Sequence, residues 1–173
     1  KPRVDYEVLE EYKEGLIALS ACLAGEVATY IRENNYEKAK NTALRLQDLF
    51  GKDNFFLELQ DHGIPDQTKV NTALLKMSKE TGIDLVATND IHYTFKEDAE
   101  AHDILLCIQT GKKVQDEDRM RYEGGQYYIK SEEEMRKLFP YAQEAIDNTQ
   151  KIADRCNVEI VFGEKKLPKY DVP

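Results

Sequence analysis

The stretch Asp84-Leu85-Val86-Ala87-Thr88-Asn89-Asp90-Ile91-His92-Tyr93 decides the fold, because an apolar run ends here in residues that can bind metal. The run at 84–88 predicts a buried strand. In an extended chain the side chains at i and i+2 point the same way, so Asp90 and His92 can reach one point beyond the strand. Carboxylate and imidazole bind zinc, manganese and iron. The alternative is that Asp90 caps the next helix and His92 packs beside it.

Earlier parts of the chain repeat the same strand-to-helix step. Two further strands are predicted, at 16–20 and 55–59. A turn at 22–25 leads into a predicted helical stretch that ends near residue 33. Apolar residues at helical spacing predict helices at 36–50 and about 66–81, which end at Gly51 and Gly82. Helices between successive strands are typical of βαβ units, so the sequence predicts an α/β fold with a parallel sheet.

Chemically versatile side chains follow each predicted strand. Cys22 follows the first strand, Glu58 and His62 close the second, and Asp90 and His92 close the third. Because ligand sites gather at the carboxyl ends of parallel strands, we expect these five residues on one rim of the sheet. Each has a structural alternative: a small packed thiol for Cys22, a neighbour-paired carboxylate for Glu58 and a turn hydrogen bond for His62.

The pattern becomes less regular after His92. Thr94 and Glu97 predict a capping box for a helix to about residue 110, in which His102 packs or lies at the surface. The elements predicted beyond Gly111 are a polar loop at 112–125, a short strand at 126–129, helices at 132–138 and 141–156, a strand at 158–162 and a proline-bearing tail. Cys107 and Cys156 are predicted to lie in the core.

Composition limits the classes of function. The 173 residues are 41% hydrophobic, which suits one globular domain. The net charge of −9 argues against this chain binding a nucleic-acid backbone by itself. Its apolar runs are far shorter than the roughly 20 residues of a membrane span, and no signal peptide is recognised. Three scattered cysteines suggest no disulfide framework, so we expect a cytoplasmic protein.

Several segments resemble a known family in both order and spacing. The motifs that carry the resemblance are Ser20-Ala21-Cys22-Leu23-Ala24-Gly25 within 14–26, Phe56-Leu57-Glu58-Leu59-Gln60-Asp61-His62-Gly63, and Val86-Ala87-Thr88-Asn89-Asp90-Ile91-His92-Tyr93. They are similar to the alpha subunits of bacterial DNA polymerase III, the replicative family C polymerases. Segments 131–135 and 152–158 extend the likeness over nearly the whole chain.

The resemblance implies a place within the PHP (polymerase and histidinol phosphatase) domain, a distorted β/α barrel of parallel strands. Residues 1–111 would be its later β/α units, and 112–173 would be its end with a helix-and-strand connection toward the polymerase palm. The family's late metal ligands fall on Cys22, Asp90 and His92. Glu58 and His62 would either hydrogen-bond to the metal ligands without binding the metal themselves, or contact the substrate. The family's early His-x-His ligands have no counterpart, so we expect an excerpt of a longer protein.

The function implied for the parent is DNA-directed DNA polymerisation in chromosome replication. The PHP site would add metal-assisted phosphoester hydrolysis, such as 3′–5′ exonuclease activity, with zinc or manganese; magnesium would serve a polymerase site outside this segment. Expected partners are DNA, other replicase subunits and a proofreading exonuclease subunit. A non-catalytic PHP scaffold and a free-standing PHP phosphatase are the alternatives. Alone, the segment should be inactive, and its open strand edges should cause dimerisation or rearrangement of the first strand.

Overall fold

A three-stranded parallel sheet in the order β1–β2–β3 organises the protein in a computed structural model, which describes residues 3–163. The elements are α1 (Tyr6–Tyr12), β1 (Ala18–Leu19), α2 (Glu26–Arg32), α3 (Tyr36–Phe50), β2 (Phe55–Leu59), α4 (Pro65–Thr81), β3 (Leu85–Ala87), α5 (Ala99–Thr110), α6 (Glu132–Leu138) and α7 (Gln143–Arg155). Short 3₁₀ turns lie at Lys96–Asp98 and Glu123–Gly125. The predicted α/β class with parallel strands is confirmed.

Local signals set the helix boundaries. The Asn35 side chain accepts a hydrogen bond from the Lys38 N–H and so caps α3. Helix α4 ends at Gly82, whose φ of 72° is left-handed and suits a residue without Cβ. Ser131 and Glu134 form a reciprocal capping box at the start of α6, as predicted.

The central strand β2 carries the core. Its Phe55, Leu57 and Leu59 are fully buried, because helices cover the sheet on both faces. Leu57 pairs with Leu85 of β3, and Ala18 of β1 pairs with Phe55. Side chains from α4 and from the region of α6 and α7 fill the same cluster, namely Leu74, Met77, Phe139, Ala142, Ala145 and Ile146.

The two edges of the sheet differ. Helix α7 packs over β3, and the buried Asn148 amide donates a hydrogen bond of 2.8 Å to the Leu85 carbonyl. After β3, Tyr93 and Tyr128 form an isolated parallel bridge. In the described residues, β1 pairs with β2 alone, so its outer edge has no strand beside it. Dimerisation or rearrangement at β1 stays a prediction.

Four local predictions were wrong. Residues 158–162 form no strand and are exposed, with Phe162 at 89%, because no neighbouring strand lies beside them in residues 3–163. Segment 126–129 makes one bridge rather than a strand. The cap before α5 uses Asp98, whose carboxylate accepts from the Phe95 N–H, instead of Thr94 and Glu97. Cys156 is exposed, because it lies just beyond the last turn of α7.

The C-terminal helices share the core of the earlier strands. Phe139 is fully buried within it, although it lies beyond residue 111, where the sequence analysis divides the chain. That division stays a prediction, and the proline-bearing tail at 164–173 lies outside the described residues. No helix within residues 3–163 combines the length and apolarity that crossing a bilayer requires.

Candidate metal centre

The corner after β3 is a sharp turn centred on Asp90. Its φ of 40° lies in the left-handed region, which aspartate tolerates better than most residues because its short polar side chain can hydrogen-bond locally. Asn89 is held on both sides of its amide: Nδ2 donates to the Tyr128 carbonyl, and Oδ1 accepts from Lys130 Nζ at 3.1 Å. The turn therefore takes its shape from the segment around 126–130.

His92 is oriented by this turn. Its Nδ1 lies 2.8 Å from the Asp90 backbone carbonyl, which can only accept, so Nδ1 donates this bond and Nε2 is the ring nitrogen left for a ligand. A backbone hydrogen bond from one ring nitrogen is the arrangement that orients a ligating histidine through the other nitrogen. The Asp90 carboxylate Oδ1 lies 3.9 Å from the same Nδ1. One turn therefore carries an oxygen donor, the Asp90 carboxylate, and a nitrogen donor, His92 Nε2.

Three rings lie beside His92, which remains exposed. The ring centroids of Tyr122, His102 and Tyr127 lie 4.4, 5.5 and 5.6 Å from its own. Burial, and then the neighbouring His92 imidazole, hold the pKa of His102 below its usual value. The sequence pattern gives no sign of the contact between His92 and His102, because that contact depends on the path of the chain between β3 and α5.

Glu58 is engaged by its neighbours. Its carboxylate accepts hydrogen bonds from the Thr88 hydroxyl and from Gln60 Nε2, and its backbone N–H donates to Ser20 Oγ at 2.8 Å. These bonds join the ends of all three strands. They match the structural alternative, a carboxylate paired with a neighbour.

Cys22 lies in a tight turn between β1 and α2. Its carbonyl accepts from the Gly25 N–H at 2.8 Å. A Cβ on Gly25 would stand 2.4 Å from the Ser20 carbonyl oxygen, so only glycine fits this turn. The exposed Cys22 shares a small crevice with Glu58, Gln60 and residues of α4.

Four of the five predicted residues fall into two groups. Cys22 and Glu58 share the crevice, while Asp90 and His92 form the corner pair; His62 binds the Asn89 carbonyl at 3.0 Å through Nε2. Across residues 3–163, no three His, Cys, Asp or Glu side chains come together in a way that could hold a metal ion. The donors of this stretch suit a divalent ion chemically but do not complete a site, and the ligand assignments stay predictions.

Comparison with known proteins places the chain in a family. DNA polymerase III subunit alpha of Borreliella burgdorferi is 48% identical over 100% of this chain. The chain belongs to the DNA polymerase III alpha subunit family. The alpha subunits of Campylobacter jejuni and Treponema pallidum are 46% and 44% identical over 98% and 100% of the chain. The family assignment made from the sequence motifs is confirmed.

The match to the family is local in two respects. The chain spans 15% of the length of each of these three alpha subunits. Residues 1–62 match the PHP domain family, so Cys22, Glu58 and His62 lie inside the matched range and the Asp90–His92 corner lies beyond it.

Proposed function

We propose that this chain is part of the PHP region of a bacterial DNA-directed DNA polymerase that replicates chromosomal DNA. The observation that carries the proposal is the 48% identity to a DNA polymerase III alpha subunit, which extends over the whole chain. A cytoplasmic location is part of the same proposal and agrees with three free cysteines.

The contacts with DNA belong, in this proposal, to other parts of the parent. A net charge of −9 is unsuited to holding a phosphate backbone, because such binding depends on clustered lysine and arginine. The magnesium-dependent polymerase site is likewise assigned outside this chain. Other replicase subunits, including a proofreading exonuclease, are its proposed partners.

We further propose that Asp90, His92 and Cys22 contribute to a divalent-metal site, with zinc or manganese, whose remaining donors come from elsewhere in the parent. The support is the turn at Asp90: the bond from His92 Nδ1 to the Asp90 backbone carbonyl leaves Nε2 as the nitrogen available for a metal, and the Asp90 carboxylate on the same turn is exposed. The reaction assigned to the completed site is phosphodiester hydrolysis, as in a 3′–5′ exonuclease.

A second candidate function is a non-catalytic scaffold that stabilises the polymerase or binds a proofreading subunit. It is favoured by the engagement of Glu58 and His62 in internal hydrogen bonds, which leaves few free groups for chemistry at the rim. Under this reading the corner pair keeps a structural role.

The experiment uses the full parent polymerase as wild type, Asp90→Asn, His92→Ala and the control Asp118→Asn, an exposed carboxylate in the loop after α5. Bound zinc and manganese, 3′–5′ cleavage of labelled single-stranded DNA and primer extension are measured. We expect the two corner variants to lose metal affinity and cleavage by at least about 10-fold, a loss seen even when outer partners of metal ligands are removed. The control should match wild type.

Each reading predicts a different result. Undiminished metal content and cleavage in His92→Ala would remove the metal-site proposal. Metal binding without cleavage by the wild type would favour the scaffold, and failure of the wild type to extend primers would refute the polymerase assignment.

A further inference from the structure

His62 is a buried histidine whose two ring nitrogens are both engaged. It is 5% exposed and lies in the loop between β2 and α4. Its Nδ1 lies 3.0 Å from Gln67 Nε2, and its Nε2 lies 3.0 Å from the Asn89 carbonyl oxygen. Gln67 is also buried, and its Oε1 accepts a 2.7 Å hydrogen bond from the His62 backbone N–H.

These contacts fix the proton on the ring. A backbone N–H can only donate, so the atom of Gln67 that faces it is the oxygen, and the other amide atom is the NH₂ group. An NH₂ group can only donate, so His62 Nδ1 accepts and carries no proton. The proton is then on Nε2, where it is donated to the Asn89 carbonyl, which can only accept. The hydrogen-bond network thus selects one tautomer.

The face of the His62 ring contacts Tyr127, which binds the chain on the other side of Asp90. Tyr127 stacks on His62 with ring centroids 4.3 Å apart and planes 5° from parallel. The Tyr127 carbonyl accepts hydrogen bonds from the backbone N–H groups of His92 at 2.8 Å and Tyr93 at 3.3 Å. His62 therefore holds the chain immediately before Asp90 directly, and the chain immediately after it through Tyr127.

We propose that His62 is a positioning residue that fixes the left-handed turn at Asp90, and that it is not a metal ligand. Ligation through either nitrogen would break a hydrogen bond to Asn89 or to Gln67, and would leave a buried polar group unpaired. The inference rests on the proposed function only in taking Asp90 and His92 as the donors that the turn presents.

The first test reads the tautomer in the 173-residue chain. Long-range ¹H–¹⁵N correlation spectra distinguish the ring nitrogens of the three histidines, assigned with His→Gln variants. We expect the Nε2–H pattern for His62. An Nδ1–H or doubly protonated pattern would overturn the inference.

Gln67→Glu is the matched perturbation, because it keeps shape but replaces the NH₂ donor with an acceptor. We expect His62 Nδ1 to gain a proton and the amide resonances of His92 and Tyr93 to shift. The control Gln115→Glu, at an exposed position of the polar loop, should change neither. A His62 ring that keeps its wild-type pattern in Gln67→Glu would contradict the proposed network.

The last test measures Zn²⁺ affinity of the parent polymerase by isothermal titration. We expect Gln67→Glu to weaken binding by about 10-fold to 100-fold, as for other hydrogen-bond partners behind metal ligands. Equal affinity in wild type and Gln67→Glu, with binding lost in His92→Ala, would overturn the positioning role alone. If the wild type binds no Zn²⁺, or binds it equally well after His92→Ala, the proposed metal site is refuted instead. The tautomer measurement still tests the hydrogen-bond network in that case.

Discussion

Truncation of Phe139 tests whether the C-terminal helices belong to the same core as the sheet. Phe139 is fully buried at the end of α6 and packs in the cluster that holds Phe55 and Leu57. Phe→Ala at a buried site removes the transfer free energy of the ring and leaves a cavity, which together cost about 3–5 kcal/mol. We therefore expect Phe139→Ala to lower the free energy of unfolding by about that amount.

Phe162→Ala is the matched control, because it deletes the same atoms from a side chain that is 89% exposed. Its effect should stay within about 0.5 kcal/mol. Urea unfolding followed by far-UV circular dichroism and tyrosine fluorescence measures both variants. For a slope of about 2 kcal/mol/M, a loss of about 4 kcal/mol moves the midpoint by about 2 M.

Two results would refute the reasoning. One is a midpoint shift in Phe139→Ala no larger than that of the control. The other is a separate transition for the C-terminal helices, seen as probes that no longer coincide, while the sheet keeps its wild-type midpoint.

Three smaller perturbations test individual contacts by urea unfolding. Arg119 binds both carboxylate oxygens of Asp103 at 2.6 Å and holds the pKa of Asp103 below its usual value. This stabilisation is present above the pKa that Asp103 has in the unfolded chain and is lost as pH falls through its lower pKa in the folded protein. Asp103→Asn should therefore lower the free energy of unfolding at pH 7, and the difference between variant and wild type should shrink below about pH 4. A difference that stays constant with pH would contradict this. Gly25→Ala places a Cβ against the Ser20 carbonyl and should cost about 1–3 kcal/mol; a neutral effect would show that the turn can relax. Asn148→Ala leaves a β3 carbonyl unpaired and should cost about 1–3 kcal/mol, with faster amide exchange in β3; unchanged stability would mean that water replaces the amide.

Much of the fold could be predicted because its signals are local. The start and end of α3 follow from Asn35 and Gly51, and α6 begins at the Ser131–Glu134 capping box. These signals operate within a few residues and do not depend on the rest of the chain. Strand β2 coincides with the predicted range 55–59 because its apolar and aromatic residues are all needed in the core.

The failures occur where a distant part of the chain decides the result. Segment 158–162 has a strand-like composition, but a strand needs a neighbour, and composition does not supply one. The prediction that the rim residues lie near one another follows from the parallel sheet. Their division into two groups depends on the turn at Asp90 and on its contacts with Tyr128 and Lys130, which lie 39 and 41 positions from Asn89 in the sequence.

The cover that α7 provides for β3 has a practical consequence for dividing the parent polypeptide into pieces. Excision at Gly111 would expose the apolar face of β3 to water and remove the Asn148 amide from its carbonyl partner. A fragment intended for spectroscopy of the Asp90 turn should therefore extend at least through Arg155, where α7 ends. Shorter fragments would report on an unfolded or aggregated peptide instead of the native turn.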